Sequence, residues 1–246
     1  MNKREINLLW LYPDLLNLHG DRGNVMALTR IAKLLNIQLN VKKVENLTET
    51  IDFDNIDFIL INPGELKVVL EVIKTLEKQK KQLVKYIDAN KIIVAVGTSG
   101  AIFSKEIKTL DNTKHKGLGI LDMTCSERKM VIGDDLYFTI NQSQEIMASQ
   151  IQMLDFELHD VKKLGAINYG YGNNGTEAEG ARHKNLIFTN ALGPIFVKNP
   201  WWTEKVLCDI ADRKGYMTSP VPIEEYELEI KSYNSTKEFI KKKIGK

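Results

Sequence analysis

Little in this 246-residue chain advertises its chemistry. Cysteine is scarce: Cys125 and Cys208 stand far apart, in no metal-type spacing, so neither a disulfide framework nor a thiolate metal site is encoded. Two isolated thiols suit a reducing compartment, and the expected location is the cytoplasm. Four scattered histidines add no zinc signature, and no motif calls for a cofactor. Charge of one sign is lacking too. The 34 Lys and Arg face 32 Asp and Glu, a formal +2, which argues against nucleic acid as a partner because that binding needs a concentrated basic patch. No apolar run reaches the roughly 18 residues that cross a bilayer, so no membrane insertion is expected. The run in MNKREINLLWLYP stops at Pro13, too short for a signal sequence. Internal repeats, low-complexity linkers and a Gly-Lys-Ser/Thr phosphate loop are all missing.

What is present reads as α/β. INLLWLY (Ile6 to Tyr12) is a short apolar run ended by proline, hence a buried strand. After the turn-rich PDLLNLHGDRGN, residues Val25, Leu28, Ile31, Ala32 and Leu35 share one helical face, with Asp21 or Asn24 placed to cap it. IQLNVKKVE and IDFILIN read as further strands, the second apolar throughout and so covered on both faces. A single helix is expected from about Leu66 to Asp88, followed by the strand IIVAV and the turn GTSG. This order indicates a doubly wound, mostly parallel sheet, whose ligands sit outside the carboxyl ends of the strands. NPGEL (residues 62–66) and VGTSGA (residues 96–101) then share one rim. The second half breaks into short strand-like pieces between Gly and Asn turns, a β-rich insertion that rejoins the sheet. A helix from Pro200 to about Gly215 closes the body. One domain of residues 1–234 and a basic tail of residues 235–246, STKEFIKKKIGK, complete the expected organisation.

The strand–turn–helix around Gly97 has the shape that presents a nucleophile in several hydrolases, yet glycine stands at its point. Ser99 lies two residues beyond the strand and Thr98 one, and neither has a histidine in local sequence. Capping the following helix is the plainer role for Ser99. The glycines with Thr98 and Ser99 also suit a cradle for a small anion or amino acid at a helix start. His159, in FELHD, is the best-placed histidine, and Asp21 with Arg22 reads as a local cap and ion pair. Cys125 and Cys208 read as packing residues.

LNLHGDRGNVMALTRIAKLLNI, GLGILD, YGYGNN, EGARHKNL and LGPIFVKNP, in that order, resemble the GatD-type glutamine amidotransferase subunits of the class I, cobyric-acid-synthase-like branch. The resemblance spans roughly Leu8 to Cys208. It implies a glutaminase subunit that supplies ammonia to a Mur-ligase-like partner for amidation of the D-glutamate of lipid II. In that family a cysteine in an Ile-Cys-Gly-Gly-Tyr-Gln run attacks glutamine, and a histidine in a Leu-His-Gly-Pro run activates it. Matched residue by residue, the cysteine position is Gly97, the following glutamine position Ala101, and the histidine position Leu192. The family's glycine-rich oxyanion loop is reduced to Gly64, and its mid-chain arginine falls at Met130, with Arg128 and Lys129 adjacent. His159 falls where the family carries a histidine in a Phe-Glu-Asn-His run. Gly and Leu can neither attack an amide nor move a proton. The resemblance therefore implies a subunit that binds its partner without the glutaminase reaction. The alternatives are a working amidotransferase using Ser99 or Thr98, and a binding module for glutamine or a small anion at Gly64, Gly97, Thr98, Ser99 and Gly100.

Overall fold

The computed structural model describes residues 4–245. Strand β1 (Glu5–Leu11) leads through helix α1 (Gly23–Leu34) to β2 (Gln38–Val44) beside it, and β3 (Phe58–Ile61) adds on β1's other edge. Helices α2 (Leu66–Glu77) and α3 (Lys80–Asp88) then lead to β4 (Ile92–Val96). The expected single helix is thus two. Its break is fixed at Gln79, whose side chain donates to Ile51 O at 2.9 Å and accepts from Ile51 N–H at 3.0 Å. Those bonds tie the chain to the loop before β3 and turn it out of the helical path. The stretch Gly97–Phe103 follows as a 3-10 helix rather than the expected α-helix.

The excursion comprises β5 (Glu106–Lys108), β6 (Lys114–Lys116), β7 (Met123–Ile140), β8 (Gln144–Leu158), β9 (Gly165–Tyr169) and β10 (Ala178–Glu179). The chain rejoins the main sheet as β11 (Ala181–His183) and β12 (Leu186–Thr189). Helices α4 (Ile195–Lys198), α5 (Pro200–Arg213) and α6 (Glu227–Ile244) finish the fold. The main sheet runs β2-β1-β3-β4-β12-β11, parallel except for β11.

Alternate residues of its strands feed two cores. Leu9, Leu11, Ile59, Ile61, Ile93 and Ala95 pack with α2 and α3; Leu8, Trp10, Phe58, Leu60, Val94 and Val96 pack with α1 and α5. This two-sided cover is why β3 and β4 are apolar at every position. The order turns back at β1, placing the ligand-prone crevice at the carboxyl ends of β1 and β3.

The β7–β8 hairpin packs on the 3-10 turn after β4 and bridges to the segment after β12 through Ser149 and Leu192. Met123, Cys125, Leu154 and Phe156 at one end join the α2 side, while Leu136, Phe138, Ile146 and Ala148 at the other join the α1 side. A bulge makes the switch: residues 128–131 of β7 stand opposite the single residue Met153 of β8. Three extra residues are an odd number, so the buried positions change phase, from 123 and 125 to 136, 138 and 140.

The basic end is part of α6, which continues through residue 235. Lys237 Nζ bonds Glu145 at 2.6 Å and Lys243 Nζ bonds Asp134 at 2.7 Å, holding the helix against the hairpin. No helix among the described residues is long and apolar enough to cross a membrane.

Candidate active site

Four strand ends build the rim. At the end of β4, Gly97 takes φ +58, a left-handed conformation that L side chains rarely adopt, and the chain reverses there into the 3-10 turn. A Cβ placed on Gly97 would lie 3.3 Å from Leu192 Cδ2 and 3.1 Å from Pro63 Cβ. Residues 97 and 192 therefore adjoin, although 95 residues separate them in sequence. Leu192 is buried and held by a two-bond bridge to β8: its N–H donates to Ser149 O at 2.8 Å, and Ser149 N–H donates to Leu192 O at 3.1 Å.

Thr98 and Ser99 face inward, toward the loop after β3. Thr98 Oγ1 donates to Gly64 O at 2.6 Å and accepts from Gly64 N–H at 3.0 Å, a closed clasp on the backbone of one residue. The Gly64 N–H is thereby engaged within the chain. Ser99 Oγ donates to Asn62 O at 2.6 Å and is fully buried. It is not the helix cap anticipated from sequence: its proton goes to the Asn62 carbonyl, in the loop after β3. Gly100 gives way to Phe188, since a Cβ there would sit 2.3 Å from the ring. Against β8 lies a cavity of about 10 Å³ bounded by Gly97, Thr98, Gln152, Leu154 and Asn190, the size of about one water.

His159 lies apart, beyond the end of β8, with Nε2 3.3 Å from Thr124 Oγ1 on the exposed face of the hairpin. Its ring pairs with Thr124 while Ser99 pairs with Asn62, so the structure does not assemble a serine–histidine pair from them. Met130 points into solvent, whereas Arg128 forms a two-oxygen ion pair with Asp155 at 2.6 Å and donates to Tyr171 Oη at 2.8 Å. Burial pushes the Cys125 thiol up to about 12, and burial also raises Cys208. Neither sulfur borders the Gly97 cavity.

Asp21 departs most from its sequence reading. It caps nothing; it is fully buried at the carboxyl rim, beside the Gly193 N–H. Burial raises its carboxyl to about 7, against the opposing pull of the Gly193 and Asn24 hydrogen bonds, and Oδ2 has no partner. Asn24 is no cap either: its Oδ1 accepts the Phe196 N–H at 3.0 Å, and its amide reaches toward Asn62 Oδ1 at 3.4 Å. Arg22 pairs with exposed Asp14 rather than Asp21.

A second buried polar group backs the cavity, unseen in sequence. Glu179 accepts from Thr189 Oγ1 at 2.7 Å, Asn190 N–H at 2.7 Å and Asn190 Nδ2 at 3.1 Å; burial raises its carboxyl, opposed by those bonds. Gln150 and Gln152 grip the backbone of Gly172 and Asn173, fixing the YGYGNN loop behind β8. The sequence signal lay in polar residues interrupting apolar strands, which spacing alone cannot distinguish from exposed positions.

Comparison with known proteins sets this site in context. The chain is 32% identical over 229 residues to the Staphylococcus aureus (strain N315) lipid II isoglutaminyl synthase (glutamine-hydrolyzing) subunit GatD, covering 92% of this chain and 93% of that protein. It belongs to the GatD family. The Streptococcus pneumoniae (strain ATCC BAA-255 / R6) subunit of the same description is 24% identical, over 79% of this chain and 76% of its own length. No family model matches the chain. Among solved structures, a glutamine amidotransferase aligns with a TM-score of 0.51 at 13% identity, covering 80% of this chain and 97% of its own. PurLQS from Thermotoga maritima gives 0.51 at 12% identity, covering 86% and 99%. These likenesses carry the fold, that of the class I glutamine amidotransferases. Within it, the elbow of this GatD-family chain ends in Gly97, and the segment facing it presents Leu192.

Proposed function

We propose that this GatD-family chain serves in isoglutaminyl synthesis on lipid II as a subunit without glutaminase chemistry, acting by binding a Mur-ligase-like amidating partner. One observation carries the reading: a side chain at residue 97 would meet the side chain at residue 192, and these adjoining positions hold glycine and leucine. A glutaminase needs a thiolate and an imidazole in such contact, one to attack the amide carbon and the other to pass the proton to departing ammonia. Glycine and leucine provide neither. Two further features support the reading. Thr98 occupies the Gly64 amide that an oxyanion would need, and the cavity between Gly97, Thr98 and β8, about 10 Å³, is far too small for glutamine. The hydroxyls of Thr98 and Ser99 are both spent on backbone carbonyls, which leaves the alternative nucleophiles without a base.

The test is glutamate release from L-glutamine by the purified protein, alone and with its Mur-ligase-like neighbour. The expected result is no release in either case, with a stable complex by sizing and light scattering. Release that persists in a Cys125→Ser, Cys208→Ser variant but disappears in Ser99→Ala would overturn the proposal and make the turn at Gly97 a rebuilt active site.

A further inference from the structure

Away from the rim, a groove of about 650 Å³ runs between α6, the start of α5 and the β7–β8 turn, well within the range of small-molecule sites. Its charges are already matched. Glu145 takes the Lys237 ammonium at 2.6 Å together with the hydroxyls of Tyr137 and Tyr233, and Lys205 pairs with Asp209 at 3.1 Å. An ionic ligand would have to displace one of these partners. An entirely apolar ligand would leave the side-chain amides of Asn141, Gln144 and Asn234 unpaired, since they line the groove with no hydrogen-bond partner among the described residues. Apolar faces are nonetheless present. Trp201 is half-buried and anchored by its Nε1, which donates to Glu145 O at 3.1 Å, and Tyr233 meets its ring edge-on at 5.3 Å. A rigid aromatic pair beside neutral, uncommitted amides matches a ligand with one apolar ring face and a rim of hydroxyls.

We propose that this groove is a saccharide-binding site, taking a short neutral sugar chain that lies on Trp201 and bonds the amides of Gln144 and Asn234. The site is separate from the Gly97 rim, so it stands whether or not the chain hydrolyses glutamine.

Saturation-transfer NMR on the full chain tests it, with chitotriose and cellotriose as probes: the same linkage, with and without acetamido groups. Saturable transfer to at least one probe is expected, with affinity falling about fivefold in Asn234→Ala, the scale of one lost hydrogen bond. A larger loss, tenfold or more, is expected in Trp201→Ala. Both substitutions are at partly or fully exposed positions, and an unchanged thermal midpoint in Asn234→Ala keeps that arm interpretable. Transfer to chitotriose alone would specify an acetamido sugar, and transfer to both a general saccharide. No transfer to either, or equal binding by wild type and both variants, would overturn the proposal.

Discussion

Replacing Asp21 with Asn should stabilise the protein at alkaline pH and do almost nothing at acid pH. The native carboxyl titrates near 7 because it is buried, against 3.8 for an ordinary aspartate. Below about pH 4 it is protonated in both states and costs nothing. Between about 4 and 7 the unfolded chain releases the proton while the folded chain keeps it, so stability falls as pH rises. Above about 7 the loss is complete and constant. Three pKa units at 1.36 kcal/mol each set that loss at about 4 kcal/mol, a large share of the ~5–15 kcal/mol by which domains are stable. Asparagine cannot ionise, yet it keeps an oxygen for the Gly193 N–H and a group of similar size where Oδ2 now lies unpartnered. Urea unfolding of wild type and Asp21→Asn at pH 4, 6 and 8 measures the difference directly. Titrations elsewhere, such as the raised Glu179 and the lowered Asp134, occur in both proteins and cancel. The expected gain is near zero at pH 4 and up to ~4 kcal/mol at pH 8, with unchanged m. A pH-independent difference would show that Asp21 is solvated in the folded state and refute the reasoning.

Two other substitutions test the rim. Gly100→Ala puts a methyl 2.3 Å from the ring of Phe188, which cannot swing aside because it is fully buried and packed 4.3 Å from Phe156; a loss of about 1–3 kcal/mol and a lower thermal midpoint are expected. Gly97→Ala should cost about 1–2 kcal/mol through its left-handed backbone and its contacts with Pro63 and Leu192. Combined with Leu192→Ala it should cost less than the sum, by about 0.5 kcal/mol or more, because the smaller residue 192 relieves the contact. Strict additivity in urea titrations would mean that residues 97 and 192 do not touch.

How much of this the sequence could carry depends on how local each cause was. β3 and β4 were legible because two-sided burial demands an apolar residue at every position, and the turn after β4 because glycine at its point is a local necessity. The rim shared by residues 62–66 and 96–101 followed from parallel order alone, and the bonds from Thr98 to Gly64 and Ser99 to Asn62 bear it out. The helix break at Gln79 was not local: its cause is a pair of bonds to Ile51, 28 residues earlier. Nor was the long β7, whose alternation is interrupted by residues 128–131 and resumes out of phase, so that one 18-residue strand reads as separate pieces. Asp21 shows the limit most clearly. In a stretch of turn formers an aspartate before a helix has the pattern of a cap, and only the return of Gly193, 172 residues later, turns it into a buried carboxyl. Its burial and the contact between residues 97 and 192 have one origin. Both arise where the segment after β12 folds back across the ends of β1 and β4, a crossing that sets the chemistry of the rim and that no window of sequence contains.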